Sequence, residues 1–318
     1  MIMWYNVVAA TQPIQDAIQR LAGWTILFRR GEYLFVTFGL FAGLAALAGS
    51  VWAGWLLLAQ GVPFVEAAAL LAGCLTGHLV VARAFLLPWS LASLRSRPLS
   101  TLRTVEFASW GGFAAIAFAV GLYAWLSDRP MLDLTDVTVR SGTLGHAIGR
   151  LGCISFGCCF GRPTKVSFAV CYHNSQAKAV RGAGLQGVPL LPVPLYESVF
   201  LLALFGLLNG IAFAGAAQGL PTAVYLILYG SARLFLETLR YDDGGDKLGP
   251  LPRNYWLSLI TLASGAGLLA ALMPFDGPSQ PSLAADWIET LALLPILAAS
   301  SAVVFLAYAV HRGSLGRW

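Results

Sequence analysis

Residues 196–240 read YESVFLLALFGLLNGIAFAGAAQGLPTAVYLILYGSARLFLETLR. The run 196–213 carries Glu197 as its one charge and then stays apolar for the length a bilayer-crossing helix needs, about 20 residues. A short uncharged link around Gln218 leads into a second run, 222–240, which is apolar at its start and polar along one face at its end. Two such runs back to back describe a helical hairpin in lipid rather than a segment of a soluble core. On a helix, Tyr229, Arg233, Glu237 and Arg240 share one stripe. Cations at membrane depth are costly and face protein or water, so this stripe marks the inside of a bundle. Glu237, one turn beyond Arg233, is placed to orient its guanidinium.

Composition extends that reading to the whole chain. Of 318 residues, 58 % are hydrophobic and 11 % charged. A soluble surface needs roughly a quarter charged residues, which excludes an ordinary soluble enzyme. The net charge of +5 suits anionic lipid headgroups before nucleic acid. Further apolar runs cover 33–59, 63–89 (with His78 and Arg83 inside it), 107–126, 255–273 and 287–310. The segment 131–160 is apolar but carries Asp133, Asp136, Arg140, His146 and Arg150. The expected fold class is therefore all-α, a polytopic transmembrane bundle of about seven to eight spans. Its parts are an amphipathic N-terminal segment (1–30), a membrane domain (31–275) with a small extramembrane insert (161–195), and an additional C-terminal helix (276–318). Residues 1–30 lack the pattern of a signal peptide. Arg29 and Arg30, the Arg95–Arg103 stretch, the insert, the loop after Arg240 and the C-terminal tail fall on one side of the membrane, and the opposite loops are nearly uncharged. By loop charge alone the basic side is cytoplasmic.

The fourth segment holds the most unusual chemistry. Asp133, Asp136 and Arg140 suit internal ion pairs that hold the bundle together. Arg150 sits in Gly149-Arg150-Leu151-Gly152, with Gly157 and Gly161 following, a spacing that predicts a broken helix lining a cavity. An arginine there presents a planar fork to a phosphate. The five cysteines are odd in number, with Cys153, Cys158 and Cys159 close together, which is no disulfide framework. Cys153-x4-Cys158-Cys159 departs from the C-x-x-C pairs of zinc sites, so no metal is expected. The Cys158-Cys159 pair is open to two readings, a small packed wall or a redox-sensitive or thiol-acceptor site.

Three blocks resemble one family. Gly149-Arg150-Leu151-Gly152-Cys153 followed by Gly161-Arg162-Pro163 resembles the G-R-x-G-N-F…G-R signature of prolipoprotein diacylglyceryl transferases. Leu195-Tyr196-Glu197 resembles the end of their P-S/T-Q-L-Y-E block. Tyr229-Gly-x-x-Arg233-x-x-x-Glu237-x-x-Arg240 resembles their Y-G-x-x-R-x-x-x-E-x-x-R. Asp136 is similar to a further family aspartate.

The resemblance implies a transferase of the bacterial inner membrane with its site towards the periplasmic side, against the loop-charge rule. It takes the diacylglyceryl group of phosphatidylglycerol, passes it to the lipobox cysteine of a prolipoprotein and releases glycerol phosphate. It implies no cofactor, no metal and no nucleic-acid partner. By motif, Arg150 and Arg233 match essential arginines and Tyr229 a further functional position; with His146 they are the expected catalytic groups. Gly149, Gly152, Cys153, Gly161 and Arg162 from the first block are expected to line the substrate. So are Tyr196 and Glu197 from the second, Glu237 and Arg240 from the third, and Asp136.

The departures are specific. Cys153 stands for the family asparagine, Pro194 for the glutamine, and Ser109-Trp110-Gly111-Gly112 where the family opens its third span with His-Gly-Gly. The proton acceptor for an incoming thiol is thereby missing, with His146 and His78 as candidate replacements. These departures suggest a divergent paralogue. The alternatives are the same mechanism with a non-prolipoprotein acceptor, or an inactive lipid-binding membrane protein.

Overall fold

The computed structural model describes residues 2–84, 109–241, 247–273, 287–312 and 315. The Arg95–Arg103 stretch and the end of the 63–89 run lie outside them. Among these residues, ten helices and five short strands follow in the order α1 (Ile2–Gly23), β1 (Ile26–Arg30), β2 (Tyr33–Val36), α2 (Thr37–Ala59), α3 (Phe64–Ala84), α4 (Ser109–Ser127), α5 (Met131–Phe156), α6 (Lys178–Arg181), α7 (Val193–Phe213), α8 (Leu220–Leu239), β3 (Lys247–Leu248), β4 (Leu251–Pro252), α9 (Arg253–Leu272), α10 (Trp287–Ala309) and β5 (Val310–Arg312). Helices α2, α3, α7, α9 and α10 contain stretches long and apolar enough to cross a membrane. The polytopic helical bundle expected from the sequence is what the chain forms.

α5 is the axis of the bundle, lying along α2 on one side and α7 on the other. Small residues set the closeness: a Cβ on Gly145 would stand 2.9 Å from the Ala45 carbonyl oxygen, the kind of backbone approach that membrane helices use in place of a hydrophobic driving force. α8 pairs with α9, α3 with α4, and α10 with α2 and α3. Leu293 and Leu297 of α10 are fully buried in the same apolar cluster as Leu56 and Leu57 of α2.

Two expectations change. The run 33–59 does not begin as helix: Tyr33–Val36 is a strand paired with Ile26–Arg30, and Tyr33 also sits opposite Arg312 of β5. Leu34 and Val36 alternate inward, the period-2 pattern of a half-buried strand. The predicted break at Gly149–Gly152 is also absent. α5 runs unbroken through it and stops at Gly157, whose φ of 71° closes the last turn in a left-handed cap. Single glycines inside a helix are tolerated, and Gly152 has a packing reason, since a Cβ there would meet Phe41 at 3.0 Å.

The lower half of α5 is tied by hydrogen bonds. Asp136 is buried, and its carboxylate accepts from the backbone N–H of Gly219 (2.7 Å) and of Thr222 (2.9 Å) and from the Thr222 hydroxyl. It thus caps the start of α8, where helical N–H groups lack partners. The Arg140 Nε–H donates to Asn209 Oδ1 at 2.9 Å, and the guanidinium lies 5.0 Å from the Phe213 ring centre. Gln218 donates to Asp133 at 3.0 Å.

The insert folds against the C-terminal end of α5 and the second half of α1. Val170, Tyr172 and Leu190 bury with Ile18, Ala22 and Ile154. The Gln19 amide brackets the Cys171 backbone, accepting from its N–H at 3.0 Å and donating to its carbonyl. Gly161 bridges to Arg240, and Arg181 reaches the Leu315 carbonyl at 3.4 Å. The basic elements predicted on one side, namely the hairpin, insert, α8 end and β5, therefore meet at one end of the bundle.

Candidate functional site

At that end, three helices converge on one carboxylate. Glu197 lies in the first turns of α7 and is 1 % exposed. Its Oε1 accepts from Arg150 of α5 at 2.8 Å and from the Tyr229 hydroxyl of α8 at 2.9 Å, and its Oε2 accepts from Arg233 of α8 at 3.3 Å. The intact helix places His146 one turn before Arg150. Its Nε2 accepts the Arg150 Nε–H at 3.1 Å and stands 3.7 Å from Glu197. An imidazole nitrogen that accepts from a guanidinium is unprotonated. Arg233 also pairs with Glu237, one turn further along α8; Glu237 in turn accepts from Arg240 at 3.2 Å and from Asn254 of α9 at 3.3 Å.

Arg150, Arg233 and Arg240 share the carboxylates of Glu197 and Glu237 here, and all five side chains are held largely out of water. The arginines bring the fork geometry that suits carboxylate and phosphate oxygens. Arg150 is shared a third way: its Nη1 lies 3.9 Å from Cys153 Sγ and 3.7 Å from Cys159 Sγ.

The three clustered cysteines meet in space. The left-handed turn at Gly157 folds the chain back, and the Sγ atoms of Cys153, Cys158 and Cys159 all lie within 4.8 Å of one another. Among the described residues this is a group able to hold a metal, which spacing alone did not anticipate.

Beside the cluster opens a cavity of about 440 Å³, lined almost wholly by apolar and small groups of α2, α3, α4, α5 and α10. It runs from Leu57 and Leu134 towards Phe38, Tyr308 and His146, so His146 belongs to both the slot and the charged cluster. His78 and Tyr308 form its second polar point, with Nε2 and the hydroxyl 3.3 Å apart. The His78 ring stands against Gly112 so closely that no Cβ would fit there.

The other expected positions sort themselves by place. Gly149 leaves ordinary van der Waals room against Ala45. Gly161 allows no side chain: a Cβ would stand 2.6 Å from Leu191 Cβ. Arg162 is exposed, and its backbone N–H donates to Leu239 O at 2.9 Å. Tyr196 is half-buried. Asp136 does not join the cluster; it lies 14 residues before Arg150 on one helix, about 21 Å along the axis. Asn254, Tyr308 and the slot itself were missed. A lone asparagine after Arg253 and a tyrosine in an apolar run carry no local signal.

Fold and cluster together define a multi-pass membrane protein with a buried arginine–glutamate centre inside its helical bundle. The family model for prolipoprotein diacylglyceryl transferase matches residues 25–271, and the chain belongs to that family. It is similar to the phosphatidylglycerol–prolipoprotein diacylglyceryl transferase of Clostridium tetani, with 30 % identity over 159 residues, 50 % of this chain and 61 % of that protein. It is also similar to those of Clostridium perfringens, 30 % over 160 residues (50 % and 59 %), and Synechococcus elongatus, 31 % over 201 residues (59 % and 66 %). The chain thus spans about three-fifths of the length of these curated relatives. Helix α10 lies beyond the matched residues.

Proposed function

We propose that this protein moves the diacylglyceryl group of phosphatidylglycerol onto the cysteine thiol of a prolipoprotein in the bacterial inner membrane and releases glycerol phosphate. The observation that carries this reading is the meeting of Arg150 and Arg233, from two different helices, on one buried carboxylate beside an apolar slot. The slot suits acyl chains and the cluster suits a phosphodiester. The relatives named above, whose printed names state this activity, support it.

The sulfur of the acceptor attacks the terminal glycerol carbon of the diacylglyceryl group. The carbon–oxygen bond to phosphate breaks, and negative charge develops on the leaving glycerol phosphate. Arg150 and Arg233 stabilise that charge, a contribution of about 3 kcal/mol per well-placed donor in a dry site. Glu197 holds both guanidinium groups in place beforehand, and Tyr229 and His146 hold Glu197 and Arg150. Glu237, with Arg240 and Asn254, fixes Arg233 from the other side. Gly149 and Gly152 let α5 pack closely on α2, Cys153 lies against Arg150, and Gly161 and Arg162 join the insert to the end of α8. The cluster faces the periplasm in this reading, and the membrane domain is residues 31–275 with α10 as an added part.

The test has two arms. Rescue of a strain depleted of its lipoprotein transferase, with the purified protein releasing glycerol phosphate from phosphatidylglycerol only when a lipobox peptide is present, is the expected result. Release with cell extract but not with any lipobox peptide would assign a different acceptor. Arg150→Ala and Arg233→Ala each lower turnover by about 100-fold or more, and full activity in either one would remove the phosphate assignment.

A further inference from the structure

We infer that Cys153, Cys158 and Cys159 form a three-thiolate zinc site whose open fourth position takes the acceptor thiol. The inference rests on the transfer reading above for its acceptor but not for its metal.

The geometry comes first. Zinc binds sulfur at about 2.3 Å in a tetrahedron, which sets sulfurs roughly 3.8 Å apart. The three Sγ atoms already lie within 4.8 Å of one another, so side-chain rotations of under about an ångström complete the set. They come together through two left-handed residues in the same short turn, Gly157 (φ 71°) and Cys159 (φ 57°). Glycine adopts that backbone freely, whereas a cysteine in it is strained, and such strain persists where the surroundings demand the side-chain position. The turn thus holds a cysteine where glycine would be easier, and aims its sulfur at the other two.

The surroundings suit thiolates. Arg150 Nη1 lies 3.7 Å from Cys159 Sγ and 3.9 Å from Cys153 Sγ, a charged donor of the kind that steadies metal-bound ligands from outside. The same guanidinium grips Glu197 at 2.8 Å, so the sulfur site is one side chain from the anion site. Three protein ligands with a fourth place left for substrate is the pattern of catalytic rather than structural zinc.

The chemistry answers a gap in the site. The transfer needs a thiolate, and the His-Gly-Gly segment of the resembled family is replaced here by Ser109-Trp110-Gly111-Gly112. A thiol that binds zinc is deprotonated outright. The acceptor R–SH takes the fourth position and gives its proton to water. The zinc-bound sulfur then attacks the terminal glycerol carbon. The carbon–sulfur bond forms as the carbon–oxygen bond to phosphate breaks, and that electron pair leaves with glycerol phosphate beside Arg150 and Arg233. The product is a neutral thioether, a far weaker ligand than the thiolate, and it vacates the zinc.

The test reads the metal without turnover. Full-length protein in detergent is loaded with zinc, dialysed and assayed by elemental mass spectrometry, in parallel with cobalt loading and optical spectra. About one zinc per chain is expected, with a sulfur-to-cobalt charge-transfer band that shifts when a short cysteine-bearing peptide is added and not when its serine counterpart is. Cys158→Ser and Cys159→Ser each lose tight zinc uptake while melting with the metal-free wild type, whereas Cys171→Ser keeps it. No stoichiometric zinc and no sulfur–cobalt band in the wild-type protein would overturn the inference whatever the variants do. A band that ignores the cysteine peptide would overturn its acceptor half. Undiminished glycerol phosphate release from protein stripped of zinc would sink the metal and spare the transferase. Zinc bound as expected with no release under any acceptor would do the reverse.

Discussion

Glu197 is the residue on which the cluster turns. It is nearly fully buried, and both of its oxygens are used: Oε1 ties α5 and α8, and Oε2 ties α8 again through Arg233. Removing it leaves two guanidinium groups facing each other without their shared counter-ion. Breaking a buried pair by deleting one partner costs about 3–5 kcal/mol. Glu197→Ala is therefore expected to lower thermal stability in detergent by that order, and Glu197→Gln by less, because the amide oxygen still accepts one bond. Both lose activity. A Glu197→Ala protein that melts with the wild type would show that the ion pairs contribute nothing net. The residue scale is also where the sequence was most readable: the Tyr229–Arg240 stripe, the turn between His146 and Arg150, and Glu237 beside Arg233 all follow from helical spacing. Glu197 as the common partner does not, since it comes from another helix and nothing local in Tyr196-Glu197-Ser198 points to α5 or α8.

At the scale of the element, α8 is fastened at both ends by α5. Its start is capped by Asp136 and its far half is held through Glu197 by Arg150. An aspartate read from sequence as part of the substrate site proves to lie about 21 Å away along the helix, acting on the backbone of another helix. A cap supplied from a different chain segment is invisible to local pattern, because the usual signal sits in the residue just before the helix, and that position here is Gly219. Asp136→Ala strips two backbone N–H groups and a hydroxyl of their buried acceptor. The expected cost is about 2–3 kcal/mol, with hydrogen exchange rising at residues 219–223 while the Arg150–Glu197 end stays protected. Equal exchange at both ends would mean that α8 opens as a unit and that the cap is not a separate latch. Two further patterns in α5 depend on packing that spacing does not carry. Glycines in Gly149–Gly152 suggested a broken helix, yet they serve close packing against α2. Cysteine spacing argued against a metal group, yet one left-handed turn at Gly157 brings the three sulfurs together.

For the whole molecule, the slot and the charged end form one path, and His146 stands where they join. The slot's volume, about 440 Å³, falls in the range of ligand pockets, about 300–1,000 Å³. Its wall includes α10 through Val304 and Tyr308, so a helix beyond the family match helps to define what the slot admits. Gly142 allows a clean test of whether lipid uses it. This glycine lines the slot on α5, and a Cβ built there meets nothing within 4 Å. Replacing it does not crowd a neighbour, and a residue other than glycine in a helix interior is favoured by about 1 kcal/mol. Gly142→Leu should therefore leave melting unchanged or raise it, while a larger side chain fills the space that acyl chains would occupy. Co-purifying phosphatidylglycerol, read by mass spectrometry, should fall several-fold together with glycerol phosphate release, and Arg150 and Arg233 remain as they were. If Gly142→Leu and Gly142→Phe both keep full lipid content and full turnover, the acyl chains lie elsewhere on the bundle, and the charged centre must be reached from its exposed end, past the insert, rather than through the slot.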